Sequence, residues 1–205
     1  MLFRSLSTKS SQSLQGLANR LQADNPAPYA SYLKLPGLEI ASASPELFLE
    51  RKGRVIKSTP IKGTSKMDNF GEKDRAENVM IVDLTRNDMS KIAQKGSVHV
   101  KELFGVYEFP QVFQMISTIE AKLEENITFS DIIKALFPMG SMTGAPKLRA
   151  QQLIRDFENG ERGVYSGISG VIGNDGSIEM AMNIRCLVFQ EGVATIGVEI
   201  GRAHV

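Results

Sequence analysis

The tripeptide Asn174-Asp175-Gly176, set between the runs "GVYSGISGVIG" and "SIEMAMNIRCLVFQ", constrains the fold more than any other feature of this chain. A short Asn/Asp-Gly loop adopts the positive φ angles whose twist matches that of the flanking strands, so it closes an antiparallel pair. The same signal recurs at Glu191-Gly192, ahead of "VATIGV", and at Lys52-Gly53 inside "ELFLERKGRVIKSTPI". "YASYLKL", "LEIASA" and "SVHVKELFGVYEF" also read as strands. Helical spacing interrupts them. Leu14, Leu17 and Leu21 form one row that Pro26 and Pro28 stop. From Lys73 to Lys91 a second helix is predicted, with Ala76, Met80 and Leu84 as its inward row and Val79 and Ile81 flanking it. Ser130 is the expected N-cap of "DIIKALF", and Pro146 starts a helix through Leu153, Ile154 and Phe157. Antiparallel hairpins interrupted by helices predict an α+β layered domain and not a doubly wound parallel sheet.

Composition narrows the chemistry. The 205 residues are 42% hydrophobic and nearly neutral at +1, enough for one soluble globular domain. Acidic and basic residues alternate, as in "GEKDRAEN", so no nucleic-acid footprint is expected and the partner should be a small molecule. The single cysteine, Cys186, rules out an internal disulfide and a Cys-based zinc cluster. No apolar run suggests a signal peptide or membrane span, and the expected compartment is reducing cytoplasm. With only His99 and His204, the chemistry should fall to carboxylates, lysine and arginine.

Several such residues sit where their surroundings do not suit them. Lys62, in "STPIKGTSKMDN", is either a solvated surface cation or a functional amine. Glu77 shares the inward side of its helix with Ile81 and Leu84, so it is either ion-paired to Lys73, Arg75 or Arg86 or directed into a cleft as a Mg²⁺ ligand. "SMTGAPK" is a glycine-containing loop entering a helix, which is either a cap or an anion site. Arg185 lies among apolar residues of a predicted strand and needs a carboxylate, from the protein or from a ligand. Tyr165, on the preceding strand, either serves the same anion or is a core tyrosine. Glu46, after Pro45, means little alone.

In chain order, "SASPELF", "PIKGT", "EKDRAENVMIVDLTRND", "GSMTGAPK", "RGVYSGISG" and "NIR" resemble the chorismate-binding enzymes from about Asn25 to Val198. That family includes anthranilate, isochorismate, salicylate and aminodeoxychorismate synthases. The resemblance implies an α/β sandwich of antiparallel sheets and helices that binds chorismate and Mg²⁺. Lysine in "PIKGT", where anthranilate-forming members carry alanine, implies that Lys62 is a nucleophile toward C2 of chorismate. The chemistry requires a neutral amine, which burial or a nearby cation favours. Glu46 matches the general acid of the "SPE" motif and Glu77 a Mg²⁺ ligand. Tyr165 and Arg185 match the pair holding the enolpyruvyl carboxylate, while Gly63 and Thr64 match substrate contacts. The implied reaction is formation of 4-amino-4-deoxychorismate for 4-aminobenzoate and folate synthesis, with ammonia from a glutamine amidotransferase subunit. An anthranilate-forming enzyme, or an inactive fragment, is the alternative. Two residues depart from the pattern: Gln114 stands where many members have histidine, and Cys186 where "IRT" is usual.

The ends differ from the family pattern. "MLFRS" opens the chain, and "EIGRAHV" follows "TIGV" in place of a glycine-rich loop and a helix carrying further metal-binding glutamates. One codon choice for Leu2–Ser5 is the reverse complement of one for the start of that tail, as in a sequencing adapter. The expectation is therefore a partial catalytic domain over 6–198, truncated at both ends, with 1–5 and 199–205 adapter-derived.

Overall fold

The computed structural model describes residues 2–9, 13–158 and 160–200; Met1 and 201–205, with His204, lie outside the described residues. In chain order the first elements are β1 (Leu2–Lys9), α1 (Leu14–Asp24), β2 (Tyr29–Leu35), β3 (Leu38–Ser44), β4 (Leu47–Lys52), β5 (Val55–Thr59) and β6 (Ile61–Ser65). There follow α2 (Glu72–Ser90), β7 (His99–Glu108), β8 (Phe113–Lys122), α3 (Phe129–Leu136), α4 (Gly140–Thr143) and α5 (Lys147–Phe157). The chain then forms β9 (Ile168–Ile172), β10 (Ile178–Met182), β11 (Cys186–Gln190) and β12 (Val193–Ile200). This is the expected α+β arrangement of sheets and helices. Contacts divide it into two units: Met1–Glu46 with Gln152–Gly170 and Ala181–Val205, and Leu47–Gln151 with Val171–Met180.

The first unit is built on a five-stranded sheet in the order β1-β12-β11-β3-β2, with α1 against β3 and β2. Its strand pairs are antiparallel, from Leu2↔Ile200 at one edge to Tyr29↔Ser44 at the other. The β11–β12 loop is Glu191-Gly192, and both residues take positive φ, 51° and 78°, as a two-residue hairpin of this hand requires. β3 buries a row of small side chains, Ala41 to Ser44, which lets neighbouring backbone approach closely.

The second unit carries a seven-stranded sheet ordered β6-β8-β5-β4-β10-β9, with β7 also on β8; Val171–Met180 supply its part of β9 and β10. β8 is the hub, pairing antiparallel with β5, β6 and β7. It buries Met115, Ser117, Ile119 and Ala121 at alternate positions, the period of a half-buried strand. α2 packs on β6, β7 and β8. With Leu47, Phe48, Leu49, Ile56 and Ile132 this forms the unit's core, and the Phe48 and Phe137 rings meet edge-on at 6.3 Å.

Four local expectations are corrected. The inward row of α2 is Asn78, Ile81, Val82, Thr85, Asp88 and Met89, not Ala76, Met80 and Leu84; Val79 and Met80 are exposed. The buried row is half polar because its polar groups are satisfied inside: Asn78 donates to the Met115 carbonyl, and Thr85 donates to the Ile81 carbonyl. α3 is capped by Thr128, not Ser130, through a reciprocal pair with Asp131. Tyr165 lies in a turn before β9, and Arg185 is not inside a strand. Arg185 occupies the bend between β10 and β11 at φ 50°.

Candidate active site

Each unit gathers its own group of the residues singled out above. In the first unit, Glu46, Tyr165 and Arg185 are tied to one crossing of backbone. The Ala43 N–H donates to the Arg185 carbonyl at 3.2 Å, and the Met182 N–H donates to the Glu46 carbonyl at 3.1 Å. The turn holding Tyr165 is pinned to the same place: Ser166 N–H donates to the Asn183 carbonyl at 3.0 Å, and Asn183 N–H to the Gly167 carbonyl at 2.8 Å. Side chains reinforce it, with Ser42 Oγ on the Ile184 carbonyl and Ser169 Oγ on Asn183 Oδ1. Glu46 and Tyr165 are buried. Arg185 reaches the surface, yet neighbouring protein desolvates its guanidinium enough to lower its pKa, an effect the negative field of Glu46 opposes. No salt bridge within 4 Å holds Arg185 among the described residues, so its fork is available to an anion. Cys186, next along, is buried, with Sγ on the Asn183 carbonyl, and its thiol is pushed up to about 11 by burial. It is a packed side chain, not a reactive one.

In the second unit, Lys62 and Gly63 fall where the β6–β8 register shifts, between Ile61↔Ile116 and Thr64↔Gln114. Such a bulge re-aims side chains away from the regular alternation. Lys62 is half-buried and donates from Nζ to the Ser141 carbonyl of α4 at 3.1 Å. Gly63 has φ 99°, and a Cβ there would lie 2.9 Å from the Phe70 ring and 3.2 Å from the Met115 methyl. The bulge thus has room for glycine only. Thr64 is exposed opposite Gln114.

Two buried polar atoms of this unit have no hydrogen-bond partner: Gln114 Oε1 and Ser141 Oγ. An orphaned buried acceptor or hydroxyl is costly, and a bound ligand is one way to satisfy it. Ser141 is the residue whose carbonyl accepts from the Lys62 amine. Ser141 is missed from the sequence, because a serine in the short run Gly-Ser-Met-Thr, which forms α4, carries no local mark of burial.

Glu77 is half-buried at the edge of the α2 row, and among the described residues it makes no ion pair. Arg86 pairs with Asp83 at 3.1 Å, and Arg75 lies over the Phe104 ring at 5.4 Å, so two of the three partners expected for Glu77 are engaged elsewhere. No group of three or more His, Cys, Asp or Glu side chains with metal-binding geometry occurs among the described residues. Glu77 alone does not fit a Mg²⁺ site, which needs several well-placed oxygens.

The sequence profile of the chorismate binding enzymes matches residues 1–201, and the chain belongs to that family. It is 42% identical over 192 residues to the aminodeoxychorismate synthase of Streptomyces pristinaespiralis, covering 87% of this chain and 27% of that one. It is 39% identical over 181 residues to anthranilate synthase component 1 1 of Haloarcula marismortui, covering 82% and 37%. Among solved structures, anthranilate synthase component I from Streptococcus pneumoniae TIGR4 superposes with a TM-score of 0.88 at 29% identity, over 96% of this chain and 46% of that one. The chain therefore spans less than half the length of these relatives. Among the described residues no helix is long and apolar enough to cross a membrane.

Proposed function

We propose that the protein containing this chain forms 4-amino-4-deoxychorismate from chorismate and ammonia. The observation that carries the reading is Lys62: a lysine in "PIKGT", lodged in a strand bulge and held by a backbone carbonyl. In the proposed reaction the neutral Lys62 amine bonds to C2 of the ring while the C4–O bond breaks, and Glu46 gives its proton to the departing hydroxyl, which leaves as water. Ammonia then bonds to C4 and the C2–N bond to Lys62 breaks, so the amine is regenerated. Overall, chorismate and ammonia give 4-amino-4-deoxychorismate and water.

Arg185 and the Tyr165 hydroxyl are assigned to the enolpyruvyl carboxylate, and Gly63 and Thr64 to further substrate contacts. The open guanidinium fork of Arg185 supports the first assignment. No step passes through Mg²⁺; Glu77 is proposed only as one carboxylate of whatever site the complete protein offers. The ammonia source is proposed to be a glutamine amidotransferase partner, and the product a precursor of 4-aminobenzoate.

Product analysis tests this reading. The complete gene product, given chorismate and an ammonium salt, should release 4-amino-4-deoxychorismate. Anthranilate as the main product would replace the proposal with its family alternative, which similarity to anthranilate synthases also supports.

A further inference from the structure

A buried ion pair lies apart from the residues assigned to the substrate. Asp88, on the inward row of α2, is almost fully buried and contacts two lysines: Lys91 Nζ reaches Oδ1 at 2.7 Å and Lys147 Nζ reaches Oδ2. Lys147, the first residue of α5, also donates to the Leu136 carbonyl at the end of α3, at 3.0 Å. Burial lowers the Lys147 pKa, and the bond to Asp88 opposes that shift. The pair is therefore desolvated and charge-assisted, unlike an exposed pair that contributes little.

What this pair holds is the stretch from Gly140 to Lys147. At its start Gly140 lies against Leu84 of α2, where an added Cβ would come 2.5 Å from Cδ2. Inside it, Gly144 N–H donates to the Gly140 carbonyl at 2.9 Å and Thr143 Oγ1 to the Met139 carbonyl at 3.3 Å. At its end Lys147 is fastened to Asp88. Between the two fixed ends lies Ser141, whose carbonyl receives the Lys62 amine and whose buried hydroxyl is unpartnered. Three points of α2 and β6 thus fix one segment, α4 and the turn into α5: Leu84, Asp88 and Lys62.

We propose that Asp88 and Lys147 are positioning residues for Lys62: their ion pair fixes the α4 segment that carries Ser141 and so sets where the Lys62 amine points. The consequence for catalysis rests on the reading of Lys62 as nucleophile. The placement of the amine does not.

The test uses the complete gene product with Lys147→Met, which keeps the stem and removes the charge. Acetylation of Lys62 by acetic anhydride, read by peptide mass spectrometry against the exposed Lys73, should rise at least about threefold, and kcat should fall roughly tenfold with little change in KM. Lys147→Arg, which keeps the cation, should recover most of both. A folded Lys147→Met protein whose Lys62 labels like the parent overturns the proposal. If that variant does not fold, the double substitution Asp88→Asn with Lys147→Met removes both buried charges together and is read by the same labelling. Failure of the double variant to fold would assign the pair to the fold alone and also overturn the proposal. Altered labelling with unchanged kcat would support the positioning and reject the nucleophile reading.

Discussion

Arg185 shows how one residue's setting decides what it can do. It takes a left-handed backbone conformation at the β10–β11 bend, and its guanidinium is desolvated without a salt bridge among the described residues. Lysine there keeps the charge and loses the two-pronged donor. Arg185→Lys should therefore cost about 1–3 kcal/mol of transition-state binding, read as kcat/KM for chorismate. Unchanged kinetics would leave Arg185 with no carboxylate to hold. Its neighbour Cys186 supplies a pH prediction. Burial raises the thiol's pKa to about 11 in the folded protein, above that of the unfolded chain, so the protonated thiol's contribution is complete below the unfolded pKa. It is lost as pH rises through the folded value. Melting temperature should fall over that alkaline window and fall less in Cys186→Ala; identical pH profiles would contradict the assignment. Lys62 and Glu46 could be singled out as candidates in the sequence because neighbouring residues form recognisable motifs. Asp88, Ser141 and Lys147 were not, because their partners are far away in the chain: Asp88 and Lys147 are 59 residues apart, and no local pattern announces such a pair.

At the scale of elements, hairpin chemistry was the readable part. The loops at Lys52-Gly53, Asn174-Asp175-Gly176 and Glu191-Gly192 close the strand pairs expected of them, since positive φ is a local demand met by local residues. β8 went unpredicted although it joins three strands, because polar Ser117 on its inward row and apolar Ile116 on the other break the alternation that marks a strand. The inward row of α2 was misplaced for a related reason. Asn78 sits there through bonds to β8, accepting from Ser117 Oγ at 2.6 Å, and polarity alone places it outside. Two substitutions test element-level claims. Thr128→Ala deletes the α3 cap and should cost about 1 kcal/mol in denaturant unfolding, whereas Ser130→Ala should cost much less. Gly63→Ala strains the β6 bulge at φ 99° and pushes a methyl into Phe70, which should destabilise by about 1–3 kcal/mol. A Gly63→Ala protein as stable as the parent would mean the bulge tolerates a side chain.

For the whole molecule, the family and the α+β fold were both legible, since six motifs in order leave few alternatives. The division into two units was not, because it depends on contacts between Met1–Glu46 and the distant segments Gln152–Gly170 and Ala181–Val205. Glu46, Tyr165 and Arg185 belong to one unit, and Lys62, Gly63, Thr64 and Glu77 to the other. Glu77 is a single carboxylate, so the 205 residues alone should bind chorismate weakly, with little dependence on Mg²⁺. Calorimetric titration with and without the ion checks this, and tight Mg²⁺-dependent binding would contradict it. The most direct test is Lys62→Ala in the complete gene product, with chorismate binding and the product measured side by side. Loss of the proposed nucleophile should reduce 4-amino-4-deoxychorismate formation on the order of 100-fold or more while chorismate affinity changes little, because no carboxylate clamp is touched. Turnover to 4-amino-4-deoxychorismate at the parent's rate would show that Lys62 is not the nucleophile.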